Sequence, residues 1–122
     1  MGLDLTRRDL QTEARQQGKP WDTAKALDQG APITAIHPTA TIGHVTRGRI
    51  WLDVNGEERQ AADVADMIWN VSEVVAELSR LFELRPGDLV FTGTPAGVGP
   101  LRPGDRVRGG VQGVDVLQVQ IV

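Results

Sequence analysis

The sequence predicts an α+β fold, mainly β, with two helices. Fourteen glycines and seven prolines in 122 residues mark a turn-rich chain rather than a helix bundle. Ile50, Leu52 and Val54 alternate with Trp51 and Asp53 and run into Asn55-Gly56, the strongest short hairpin signal. Arg-Pro-Gly-Asp occurs at 85–88 and again at 102–105, each copy beside a short apolar run.

Leu3 to Leu5 reads as the end of a strand. Thr6 and Asp9 form a capping box, which predicts a helix to about Gln17 that stops at Gly18. This helix has almost no apolar stripe, and helical spacing puts Arg8, Gln11 and Arg15 on one face. It is either exposed or borders a polar site. Residues 30–48 read as loops with brief extended pieces. A strand at 50–54, the Asn-Gly turn and a return strand from Arg59 follow. Asn70 and Glu73 form a second capping box for a helix to about Leu81. Val71, Val74, Val75, Leu78 and Phe82 give that helix a stripe that predicts a core-facing element. The two Arg-Pro-Gly-Asp turns flank a strand at Leu89–Phe91, because proline presets the second turn position and glycine the third. Strands at Val107–Val111 and Val114–Ile121 complete the pattern. No linker divides the chain, so one domain spans 1–122.

The net charge of −3 and the lack of a dense basic run argue against a nucleic-acid partner. With no cysteine, disulfides, thiolate metal sites and cysteine nucleophiles are excluded. No apolar run nears the roughly 20 residues that span a bilayer, so no membrane partner is expected, and a cytoplasmic location fits.

Four features bear on chemistry. Asp4, at the strand-to-helix junction, suits either a hard cation or a second helix cap, and capping is the commoner use. Lys25, behind Pro20-Trp21, is either held in a polar pocket or lies on the surface with its stem along Trp21. In a pocket it would neutralise a carboxylate or an enolate. The run Thr92-Gly93-Thr94-Pro95-Ala96-Gly97-Val98-Gly99 is either an anion-binding nest or a tight connection. It lacks the Gly-Lys-Ser/Thr of a phosphate loop. His37 and His44 read as surface residues without ligand spacing. Ser72 and Ser79 lack the nucleophile elbow of a serine hydrolase.

Taken in order, these pieces resemble one family. Asp4-Leu5-Thr6-Arg7-Arg8-Asp9-Leu10-Gln11 resembles the Asp-x-Thr-x-Arg-Asp-x-Gln stretch of the fumarylacetoacetate hydrolase superfamily. Gly18-Lys19-Pro20-Trp21 with Lys25 to Asp28 resembles its Gly-x-Pro-Trp…Lys-x-x-Asp segment. Val54 to Gln60, Asp66 to Trp69, and above all Leu84 to Gly99 are similar to further stretches of it. Small acylpyruvate or fumarylpyruvate hydrolases and oxaloacetate decarboxylases are the most similar members.

The resemblance implies a mixed β-sandwich roll and an enzyme needing Mg²⁺ or Mn²⁺. It gives Asp4 as a metal ligand, Lys25 as the catalytic charge-stabilising lysine, and Arg8 and Gln11 as substrate-pocket residues. Thr94 is then the contact to the substrate carboxylate. The implied reaction is cleavage of a carbon–carbon bond in a small diketo-acid, or decarboxylation of an oxo-acid, through an enolate stabilised by the cation. Isomerisation of a hydroxymuconate-type substrate is an alternative within the family. A homodimer is implied as well. The family's Glu-x-Glu ligand pair and its His–Glu base lie upstream of the Asp4 motif and have no counterpart here. The chain is therefore expected to be the C-terminal portion of such a catalytic domain, needing an N-terminal half, in trans if separate. A non-enzymatic alternative is a half-domain acting as an assembly or binding module.

Overall fold

Residues 2–34 form an extended segment followed by two helices. The computed structural model describes residues 1–122, which divide into two units, 2–34 and 35–122 together with Met1.

In the first unit, Leu3 N donates to Pro32 O at 3.0 Å and Leu5 N to Gly30 O at 2.8 Å. The expected strand end is thus an extended stretch with one bridge, Gly2 to Ile33, rather than a sheet member. Helix α1 (Arg8–Gln16) follows, and its N-cap is Arg7, with no side-chain cap. The expected Thr6 capping box is not formed: the helix starts one residue later than expected, with Arg7 at the N-cap, and the Thr6 hydroxyl accepts from Lys25 and donates to Asp4 O. The C-terminal stop is as expected. Gly18 has φ +62°, Gly18 N donates to Arg15 O and Lys19 N to Ala14 O, which are the paired bonds of a Schellman motif. Helix α2 (Asp22–Lys25) is a single turn absent from the sequence expectation. It packs on α1, each buries an alanine (Ala14, Ala24), and Arg7 N donates to Ala24 O at 3.0 Å.

The second unit begins with another single turn, α3 (Thr39–Ile42), again unexpected, and continues with β1 (Arg49–Val54) and β2 (Glu57–Asp63). Its later elements are a 3-10 turn at Val64–Asp66, helix α4 (Val71–Leu81), β3 (Arg106–Val111) and β4 (Asp115–Gln120). The sheet is antiparallel throughout, in the order β2-β1-β3-β4. Asn55-Gly56 makes the hairpin with φ +54° and +85°, as a type I′ turn requires. The Asn55 side chain also ties the hairpin to β3: it donates to Asp105 at 2.8 Å and accepts from Arg106 N at 2.9 Å. Val54 and Val107 are the buried apolar residues of this unit, Val107 completely so. On the other face, Trp51 lies across Gly110, where a side chain would meet the indole, and Arg108 stacks on it 5.1 Å from the ring centroid.

Both Arg-Pro-Gly-Asp turns adopt one geometry. The aspartate carboxylate accepts from the arginine N–H at 2.7 Å in each, and the glycines have φ +101° and +93°. Two further expectations fail. Helix α4 has its capping box, with Asn70 and Glu73 bonded reciprocally, but its stripe is not core-facing: Val71, Val75 and Phe82 are exposed. Leu89–Phe91 is not a strand. It has no ladder partner and all three side chains are exposed, so nothing in the chain offers it an edge.

The Asp105 carboxyl is held below its usual range, chiefly by the Asn55 amide and then by the Arg102 N–H. A depressed carboxyl contributes stability that is present above its unfolded pKa of about 4 and lost as pH falls through the folded value. Urea midpoints should therefore fall as pH drops below about 4, and Asp105→Asn should flatten that dependence.

Candidate functional site

The polar character of α1 is explained by what its N-terminal approach carries. Lys25, the last residue of α2, points its amine at the segment entering α1. Nζ donates to Asp4 Oδ2 at 2.6 Å and to Thr6 Oγ1 at 3.0 Å. The backbone bond from Arg7 to Ala24 fixes the two segments at this spacing. Lys25 is partly buried, and its amine joins a polar cluster with Asp4 and Thr6. Asp4 is half-exposed, with its side chain 51% accessible, and it caps nothing. Arg8 and Gln11 also meet as the helical spacing predicts: Arg8 Nη1 donates to Gln11 Oε1 at 2.7 Å.

Asp4 is one oxygen donor for a hard cation. Mg²⁺ is commonly held by one or two carboxylates with waters and substrate oxygens completing an octahedron. No group of three or more His, Asp or Glu side chains gathers here or elsewhere in the chain. The residues present thus fit a single protein ligand of such an ion, not a full set.

Thr94 belongs to the second unit, where its loop is held by β2. Gln60 Nε2 donates to Thr94 Oγ1 at 2.9 Å and to Pro95 O at 2.7 Å. Gly97, with φ +100°, lies so close to Arg59 O that no side chain fits. Among the expected site residues, the structure pairs Asp4 with Lys25 and Arg8 with Gln11, and gives Thr94 a partner that sequence reading had not singled out.

Two further contacts escaped the sequence. Gln60 carried no local signal, because it lies opposite Leu52 only through the register shift between Leu52 and Asp53. His37 carried none either. Its Nε2 lies 2.9 Å from Asp115 Oδ2, a residue 78 positions away. His37 is partly buried rather than a free surface residue, and its hydrogen bond, followed by that of Val116 N, holds the Asp115 carboxyl below its usual range.

Comparison with known proteins decides the family. The model of the fumarylacetoacetate hydrolase C-terminal domain matches residues 1–122. The chain belongs to the fumarylacetoacetate hydrolase family. It is 45% identical over 120 residues to the fumarylpyruvate hydrolase of a Ralstonia species, covering 98% of this chain and 62% of that protein. It is 37% identical over 119 residues to the mitochondrial oxaloacetate tautomerase of Mus musculus, covering 98% and 54%. Among solved structures, the fumarylpyruvate hydrolase of Pseudomonas aeruginosa, in complex with Mn²⁺ and pyruvate, superposes with a TM-score of 0.97 at 51% identity. That match covers 99% of this chain and 52% of the other. The chain thus spans about half the length of the family members it matches. None of its helices is long and apolar enough to cross a membrane.

Lys25 and Asp4 are too accessible for their pair to carry the fold. Lys25→Met should lower unfolding stability by less than about 1 kcal/mol in urea titrations. Gly97→Ala should cost more, about 1–3 kcal/mol, because positive φ and contact with Arg59 O both oppose a side chain.

Proposed function

We propose that this chain is the C-terminal portion of a divalent-metal enzyme that cleaves a carbon–carbon bond in a small acylpyruvate such as fumarylpyruvate. The observation that supports it most is the Lys25–Asp4 contact at 2.6 Å, which sets a fixed ammonium beside a half-exposed carboxylate. Mg²⁺ or Mn²⁺, when bound, would polarise the 2-oxo group and stabilise the enolate left by bond cleavage. The residues of the chain do the rest of what is assigned to it. Asp4 offers one oxygen to the ion. Lys25, anchored on Thr6, keeps its ammonium in place to balance negative charge on the oxo-acid as its carbonyl becomes an enolate. The Arg8–Gln11 pair presents a guanidinium whose direction is set by the amide, ready for a second anionic group. Thr94 gives a hydroxyl to the substrate carboxylate.

The remaining ligands and the general base are assigned to polypeptide that the relatives carry beyond the matched region, supplied here as an N-terminal half. Exposed Trp69, Phe82, Leu89 and Phe91 support that assignment, since such an apolar surface is unusual on a free domain and suits a docked partner. A homodimer in a cytoplasmic setting goes with the same reading. Similarity to an oxaloacetate tautomerase supports a second reaction, proton transfer in an oxo-acid through the same stabilised enolate.

The test mixes the chain with the N-terminal half of a fumarylpyruvate hydrolase, Mn²⁺ and a panel of fumarylpyruvate, acylpyruvates and oxaloacetate. Turnover is expected, with product analysis separating hydrolysis, decarboxylation and tautomerisation. Asp4→Asn and Lys25→Met should each lower the rate by at least about 100-fold, the scale of losing one charge-stabilising group. Absence of turnover across the whole panel would sink the enzymatic reading. The chain alone should bind Mg²⁺ only weakly by calorimetry, as one carboxylate allows.

A further inference from the structure

The contacts of Gln60 fix more than the position of a loop. They also fix the direction of a hydrogen bond. Pro95 O can only accept, so the side-chain atom 2.7 Å from it must be the nitrogen of the Gln60 amide. That same nitrogen lies 2.9 Å from Thr94 Oγ1, and an amide nitrogen only donates. The threonine oxygen therefore uses a lone pair on Gln60, and its own proton is left to point elsewhere. Thr94 is exposed, so the hydroxyl can reach a ligand. We propose that Gln60 is a positioning residue that, by donating to both Pro95 O and Thr94 Oγ1, sets the Thr94 hydroxyl as a donor to a bound carboxylate.

Three features of the chain build this arrangement. The β1–β2 register shifts between Leu52 and Asp53: Leu52 faces Gln60 while Asp53 faces Glu58, so Arg59 is the extra residue of a bulge. Without the bulge Arg59 would sit opposite Leu52 and Gln60 would turn to the other face. Gly97 then lets the loop lie directly on the backbone of Arg59. The amide of Gln60, partly buried, places both hydrogens on the loop. A carboxylate bound by Thr94 gains from the polarisation of the hydroxyl by the Gln60 N–H, since chained hydrogen bonds strengthen one another. The inference rests on the reading of Thr94 as a contact to the substrate carboxylate.

The test has two readouts, the first on the chain alone and the second on the chain mixed with the N-terminal half of a fumarylpyruvate hydrolase. The first is exchange of the Gln60 side-chain amide protons by NMR. Both should exchange more slowly than those of exposed Gln16, and Thr94→Val should release one of them. Exchange as fast as that of Gln16 overturns the clamp. The second is titration of that mixture with pyruvate in the presence of Mg²⁺, a diamagnetic ion that leaves the resonances observable, followed on the Thr94 amide resonance. Gln60→Glu and Gln60→Met should each weaken pyruvate binding about tenfold, whereas Thr94→Ser should retain it and Thr94→Val should not. The neutral Met variant separates loss of the donor from charge repulsion by Glu. Unchanged pyruvate affinity in Gln60→Met, with Thr94→Val impaired, overturns the role of Gln60 and leaves the carboxylate contact standing. No response of Thr94 to pyruvate in the wild-type mixture removes the contact and the inference together.

Discussion

The register of β1 is the constraint from which the second unit follows. β1 is hydrogen-bonded on both sides, to β2 through a bulge and to β3 without one. Side chains alternate across a sheet, so each residue of β1 decides which face its two neighbours present. Opposite Val54 lies Val107, and that pair forms the buried apolar centre of the sheet. Opposite Trp51 lies Gly110, which leaves room for the indole to cross β3. Opposite Leu52 lies Gln60, and through it the threonine loop is held. The Asn55 side chain locks this register at the hairpin end, because it joins the turn to Asp105 and Arg106.

The first unit is organised differently. It buries Leu3, Ala14 and Ala24, which are few and small, and relies on a Schellman stop and backbone bonds across its ends. A salt bridge as exposed as Lys25–Asp4 contributes little to such a unit. Lys25 is nonetheless held by two side-chain acceptors, Asp4 and Thr6, and the helix beside them starts at the N-cap Arg7 with no side-chain cap. A side-chain cap contributes about 1 kcal/mol. A fixed ammonium beside an uncapped helix start is the kind of departure from local rule that accumulates at functional sites.

What was legible in the sequence was local chemistry. Asn55-Gly56, both Arg-Pro-Gly-Asp turns, the Asn70 cap and the Gly18 stop each depend on residues within five positions of one another, and all stand as read. The strands at 107–111 and 114–121 were visible from alternation. Two of the failures share a cause. Leu89-Val90-Phe91 has the composition of a strand buried on both faces, and α4 has the stripe of a packed helix, but a strand or a packed face also needs a partner, which composition cannot supply. The one-turn helices α2 and α3 are too short to show periodicity. The pairs His37–Asp115 and Gln60–Thr94 join residues far apart in sequence, and only the sheet register brings them together. For the site, the motif gave the residue types at Asp4, Lys25, Arg8, Gln11 and Thr94, whereas the Thr6 and Gln60 contacts that orient two of them came from the structure.

The same partner surface that these failures expose also bears on the chemistry. Leu89, Val90 and Phe91 are consecutive and each is exposed, an apolar surface of the kind that marks a partner contact. Polypeptide docked on it is the partner that the proposed function invokes. On the proposed function the same polypeptide brings the missing metal ligands. Docking and metal binding then share one free energy: whatever binds only the docked state stabilises docking in proportion to its own affinity. A cation held by one carboxylate of the isolated chain has little to offer that equilibrium, whereas a cation completed by both halves would bind and assemble them in a single step.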